Sequence, residues 1–138
     1  MIKPASQSVY NMVEWIPTGL PALDRILGGG VPTRRITEVS GPNSVGKTTL
    51  ALMIASQAQK MGKQVVWADQ EWCWDNRYAE VLGVNTDKVG LIQEEIAELA
   101  LDEIEDFAAK EKGALIVIDS IGALKARQEA EKSNDGRT

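Results

Sequence analysis

Residues 41–48 read Gly41-Pro42-Asn43-Ser44-Val45-Gly46-Lys47-Thr48 and fit the pattern G-x-x-x-x-G-K-[ST]. That pattern carries a mechanism only where a strand leads into it and a helix leads out. Residues 35–40, RITEVS, alternate and are rich in β-branched side chains, which predicts a strand running into the glycine-rich turn. Beyond it, Leu50, Ala51, Ile54, Ala55, Ala58 and Met61 recur at helical spacing over residues 47–61, and Gly62 ends the run. Strand, turn and helix in this order describe a phosphate-binding P-loop. Its glycines let backbone N–H groups turn inward around a β-phosphate, and the helix N-terminus near Gly46 adds its positive end. Lys47 is placed to reach the β- and γ-phosphates, and Thr48 to set its hydroxyl on Mg²⁺. The candidate nucleotide-binding set is Gly41, Pro42, Asn43, Ser44, Val45, Gly46, Lys47, Thr48 and Thr49. An ordinary glycine-containing strand–helix turn is the alternative. With Gly at about 7% of residues, the full pattern arises by chance in well under about 1% of chains this long.

Outward from the loop the same alternation repeats. Residues 64–68 predict a strand, 76–82 a short helix closed by Gly83, and 89–92 a brief strand. Residues 94–112 predict a helix with Ile96, Leu99, Ala100, Ile104, Phe107 and Ala108 on one face. The unbroken apolar run 114–118 suits a strand buried on both faces of a parallel sheet. Before the loop, residues 22–27 predict a short helix stopped by Gly28-Gly29-Gly30. Strands alternating with helices mean an α/β fold with helices on both sides of the sheet. Three divisions are expected: an N-terminal arm over 1–17, a core over 18–124 and a polar tail over 125–138.

Bulk properties narrow the chemistry. The chain has 138 residues, 43% hydrophobic and 25% charged, within the range of globular proteins. Its start lacks the apolar stretch of a signal peptide and no run reaches the length of a membrane span, so a cytoplasmic location without membrane partners is expected. There is no His, which excludes His-dependent triads and most zinc sites, and the single Cys73 reads as a small packing residue. With a net charge of -5, the overall field attracts neither nucleic acid nor an acidic membrane.

A P-loop needs carboxylates beside it. Asp119 closes the apolar strand, where an Asp can help hold a metal ion or, equally, cap the turn that follows. Residues 67–75, WADQEWCWD, hold three of the four tryptophans, and Asp69 and Glu71 follow the strand predicted over 64–68. Parallel strands present their C-terminal ends to ligands, so both acids emerge on the same edge as the P-loop and Asp119. A carboxylate there can align and deprotonate water in line with a γ-phosphate. Trp67, Cys73 and Trp74 are assigned to packing, and Trp72 has no assignment.

These residues together resemble the RecA/RadA family of homologous-recombination ATPases. TGLPALDRILGGGVPTRRITEVSGPNSVGKTTLAL is similar to the family's lead-in and P-loop, ADQEWCWDNRYAEVLGV to its Asp-x-Glu segment, and ALIVIDSIGAL to its Walker-B strand and following turn. The resemblance covers residues 18 to about 124. It implies a P-loop NTPase of the RecA-like type, a three-layer α/β sandwich with a mainly parallel sheet. It further implies ATP and Mg²⁺ as cofactors, Glu71 and Lys47 as catalytic residues, and Thr48 with Asp119 at the metal. Asp69 becomes the acidic companion of Glu71, while Asp75 and Tyr78 match residues around the adenine. The implied activity is DNA-dependent ATP hydrolysis in a filament on single-stranded DNA, used for recombination and repair. Two rivals stand beside it: a KaiC-like or RadA-like P-loop regulator, and a fragment that binds nucleotide without turnover.

The resemblance also sets an expectation for the sheet. In the family, a strand that follows Walker B lies between the P-loop strand and the Walker-B strand, and no candidate for it follows Asp119. The sheet is therefore expected to be truncated, with residues 35–40 and 114–118 flanking an empty slot. Val9-Tyr10-Asn11-Met12-Val13 is either an assembly strand laid on a neighbouring copy or a loose leader.

Overall fold

The computed structural model describes residues 2–8 and 13–123. Residues 9–12 of the candidate assembly strand, and the tail expected over 125–138, lie outside the described residues. In chain order the elements are β1 (Trp15–Ile16), α1 (Pro21–Leu27), β2 (Val31–Pro32), α2 (Lys47–Lys60), β3 (Val65–Asp69), α3 (Asn76–Val81), β4 (Val89–Ile92), α4 (Ala97–Lys110) and β5 (Leu115–Asp119).

The sheet that carries the site is parallel, with strand order β4-β3-β5. All five residues of β3 are buried, which a strand covered on both faces and paired on both edges requires. Because side chains alternate, Val65 and Trp67 face one side and Val66 and Ala68 the other. Val65 and Trp67 pack against α2 through Leu52, Ile54, Ala55 and Ala58, joined by Ile16, Ala79 and Val84. Val66 faces α4, and Phe107 of that helix lines the groove between them. Helices thus cover both faces, as the alternating pattern predicts.

Two small devices fix the lead-in. β1 and β2 pair antiparallel, Trp15 with Pro32 and Ile16 with Val31, a two-residue ladder too short for periodicity to reveal. Gly30 makes the approach possible: its φ is 131°, and a Cβ there would lie 2.1 Å from the Ile16 carbonyl oxygen. Thr18 is buried, and its backbone N–H and its hydroxyl both donate to Asp24 Oδ1, at 2.8 and 2.7 Å. Its Oγ1 also accepts from the Leu20 N–H, so Thr18 supplies the polar closure that Leu20 cannot give to the start of α1.

Three expectations are corrected. Residues 36–40 form no strand, although their β-branched composition favours one. Ile36 is fully exposed and Val39 is 45% exposed. A strand is stabilised by its ladder and its packed face, and this segment has neither among the described residues. It faces β5 across an apolar groove of about 840 Å³, lined by Ile36 and Thr37 on one side and Ile116, Ile118 and Ile121 on the other. β5 consequently pairs with β3 alone and is half-buried along its length, not buried on both faces. α4 begins at Ala97, not at residue 94, because the Glu94 carboxylate accepts from the Ile96 N–H and holds those residues in a turn.

Candidate nucleotide-binding site

The C-terminal ends of β3, β4 and β5 and the N-terminus of α2 converge on one edge. Ser44 and Gly46 adopt left-handed conformations, with φ of 58° and 104°, which curl the loop over residues 41–46 before α2 starts at Lys47. Successive N–H groups in such a curl form an anion-accepting concavity beside the positive end of a helix. Lys47 Nζ donates to the carbonyls of Gly41 and Pro42 at 2.8 and 2.7 Å, so its charge lies inside the loop it follows.

Thr48 and Asp119, 71 positions apart in sequence, are joined by a 2.7 Å bond from Thr48 Oγ1 to Asp119 Oδ2. Both candidate metal residues are therefore in one place. The donor set is one carboxylate and one hydroxyl, and no cluster of three or more acids, Cys or His that could hold a metal exists among the described residues. That chemistry fits Mg²⁺, which binds through one or two protein oxygens and completes its shell with phosphates and water. It does not fit a cation that needs an all-protein cage. The Asp119 carboxylate is engaged by Thr48, and the turn Ile121–Ala123 that follows is closed by the Ser120 carbonyl accepting from the Ala123 N–H.

Glu71 and Asp69 have different surroundings. Glu71 is exposed, and its Oε1 accepts from Ser120 Oγ at 2.9 Å, which sets it beside the residue following Asp119. Asp69 is 3% exposed, its carboxylate enclosed by N–H donors. Its Oδ1 accepts from the Cys73 N–H at 3.0 Å, and its Oδ2 from the Trp74 N–H at 2.9 Å and from Gln93 Nε2 at 3.0 Å. A buried carboxylate needs such donors, and here they come mostly from the loop that it closes. Cys73 is also corrected: it is exposed, its thiol donating weakly to the Glu71 carbonyl. Trp67 is buried and Trp74 packs on it edge-on with ring centres 5.3 Å apart, as the packing assignment requires. Trp72, at φ 55° and 57% exposed, stands out from the turn of this loop.

Asp75 and Tyr78 are drawn together by α3. Asp75 caps the helix, Oδ1 accepting from the Tyr78 N–H at 3.0 Å. The Tyr78 hydroxyl shares a 2.6 Å hydrogen bond with the Thr49 hydroxyl, so Tyr78 reaches the first turn of α2 while its ring stays partly exposed. Thr48 with Asp119, Thr49 with Tyr78 and Glu71 with Ser120 are joined by hydrogen bonds, while residues 41–46, Glu71 and Asp75 lie in the loops that precede α2 and α3.

Among known families, the model of the RecA N-terminal domain matches residues 2–136. The chain belongs to the RecA family. It is 42% identical over 119 residues to Protein RecA of Gloeobacter violaceus and 47% identical over 120 residues to Protein RecA of Streptomyces coelicolor. Each alignment covers 86% of this chain and 32% of the relative. The mitochondrial DNA repair protein recA homolog of Dictyostelium discoideum is 41% identical over 132 residues, covering 95% of this chain and 29% of the relative. The chain spans about a third of the length of the curated RecA relatives that it matches. No helix among its described residues is long and apolar enough to cross a membrane.

Sequence reading of this RecA-family chain missed two side chains that touch the acids. Ser120 follows Asp119 directly, so its closeness to the site is legible, but its bond to Glu71 depends on how two strand ends are paired. The Gln70 N–H donates to the Asp119 carbonyl at 3.1 Å and sets that pairing. Gln93 follows β4, 24 residues from Asp69, and nothing in local pattern marks it.

Proposed function

We propose that this chain forms the nucleotide-binding part of a RecA-type recombinase, a P-loop ATPase that hydrolyses ATP with Mg²⁺ in filaments on single-stranded DNA. The observation that carries this reading is the meeting of Thr48 with Asp119 at 2.7 Å while Ser120, the next residue, holds Glu71. Candidate metal-binding and water-activating groups from the ends of β3 and β5 and from the first turn of α2 are thereby side by side.

In this reading the loop amides over residues 43–48 and Lys47 hold the phosphates. Thr48 and Asp119 would hold Mg²⁺, which when bound would supply charge neutralisation on the phosphates. Glu71 orients a water molecule and takes its proton as the water oxygen bonds to the γ-phosphorus and the bond to the ADP oxygen breaks. Tyr78 lies against the adenine and Asp75 accepts from its exocyclic amine. DNA pairing and filament growth belong to the whole protein, with residues 18–124 as the ATPase core, the arm over 1–17 as an assembly element and residues 125–138 as a polar tail. The sheet is that of a RecA-like three-layer sandwich, and the cytoplasm is the proposed location.

Phosphate release with and without single-stranded DNA tests the reading. Stimulation by DNA supports a recombinase, DNA-independent turnover a P-loop regulator, and binding without turnover a nucleotide-binding module. Glu71→Gln is expected to keep nucleotide affinity and lower turnover by about 10² to 10⁴. Lys47→Ala is expected to lose nucleotide binding itself. Turnover of the Glu71→Gln protein at the original rate would remove Glu71 from the mechanism.

A further inference from the structure

The geometry points to Gln93 as a positioning residue for Glu71, acting through the buried carboxylate of Asp69. This inference rests on the reading of Glu71 as the group that activates water. Asp69 accepts two backbone N–H groups of its own loop, those of Cys73 and Trp74, and one side-chain donor from outside it, Gln93 Nε2. Asp69 is the last paired residue of β3, so these two bonds already hang the loop on the sheet, but they do so through a side chain that can still rotate about its own torsions. Gln93 sits at the end of β4, whose register with β3 is fixed from Val65–Val89 to Ala68–Ile92. Its bond therefore fixes the rotation of the carboxylate on which the loop hangs.

The loop needs that tie, because its turn places Trp72 at φ 55°, a conformation disfavoured for a bulky residue, which persists only where its surroundings over-determine it. Glu71 directly precedes Trp72. A shift in the turn carries the Glu71 carboxylate away from Ser120 Oγ, and from the line of attack. Three strand ends thus share one set of bonds: Gln93 to Asp69, Asp69 to the loop, and the loop's Glu71 to Ser120 beside Asp119. Gln93 touches neither nucleotide nor metal in this arrangement, and its effect reaches the reaction only through where Glu71 stands.

The test uses Gln93→Leu, which keeps the bulk and removes the donor, and Gln93→Lys, which restores an N–H donor of similar reach. Amide hydrogen exchange at Cys73 and Trp74 reads the loop directly, with Ala68 in β3 reporting any general loosening. Exchange at Cys73 and Trp74 is expected to quicken at least about tenfold in Gln93→Leu with Ala68 unchanged. Affinity for Mg²⁺-ATP is expected to stay within about twofold, while phosphate release at saturating ATP falls by about 10- to 100-fold, the scale of a misplacement near 1 Å. Gln93→Lys is expected to recover most of both losses. Unchanged exchange, unchanged turnover, or turnover and affinity falling in parallel would each overturn the inference. Wild-type protein that binds ATP without releasing phosphate would instead sink the reading of Glu71 and the catalytic part of this inference, and the exchange rates would still decide whether Gln93 fixes the loop.

Discussion

Asp69 shows how much a single buried group organises. It is almost shut off from solvent, so its carboxyl oxygens rely on three N–H donors, and each donor relies on it in return. Asp69→Ala leaves the Cys73 and Trp74 amides and the Gln93 amide without their acceptor. At ~1–3 kcal/mol for each donor that stays dry, and less for any that water reaches, the expected loss is roughly 2–5 kcal/mol in urea unfolding. A loss under about 0.5 kcal/mol would show that water replaces the carboxylate freely. From sequence, Asp69 and Glu71 look alike, two acids at the end of one strand. The end of the ladder separates them: Asp69 is the last paired residue of β3, opposite Asp119, while Glu71 lies two positions on, beyond the pairing. Lys47, Thr48 and Asp119 were legible because the spacing that defines them is also the spacing the mechanism needs. Gln93 was not, because only the fold brings it to Asp69.

At the level of elements, local pattern and outcome agree where an element needs only itself and one packed face. α2, β3, β4 and α3 fall within a residue or so of their expected bounds, since helical spacing, β-branched runs and terminal glycines act locally. Residues 35–40 fail for the opposite reason: their propensity is sound, but a ladder is a two-sided structure and the far side is a groove. The β1–β2 pair was invisible from sequence because two residues carry no period, yet it depends on one position sharply. Gly30→Ala places a methyl group 2.1 Å from the Ile16 oxygen, and both neighbours are backbone. The pair must separate, with an expected destabilisation of at least ~2 kcal/mol by thermal or urea unfolding. The neighbouring Gly28→Ala is the control, since a Cβ at Gly28 meets nothing within 4 Å and only its φ of 83° is strained. Equal effects at the two positions would show that backbone conformation, not the close approach, governs the hairpin.

Across the whole molecule, apolar surface is unevenly distributed. Ile36 is fully exposed, Ile121 is 67% exposed, and both line the groove beside the open edge of β5. Among the described residues that edge of β5 has no strand partner, and an open strand edge beside exposed aliphatic side chains is a template for pairing with another chain. The 138-residue chain on its own is expected to self-associate with rising concentration in light scattering, and Ile36→Lys to reduce that association. A sharp, cooperative melt of a monomer at high concentration would count against it. The same unevenness explains which part of the fold the sequence could not settle, since the core around Trp67 is built from segments that predict themselves and the groove is not. One consequence lies in the pair of indoles, Trp67 fixed in the central strand and Trp74 carried by the loop that holds Glu71, 5.3 Å apart with their planes at 63°. At that distance and angle their electronic transitions couple, so near-ultraviolet circular dichroism records the loop's position against the sheet. The protein carries its own optical gauge, readable without a label.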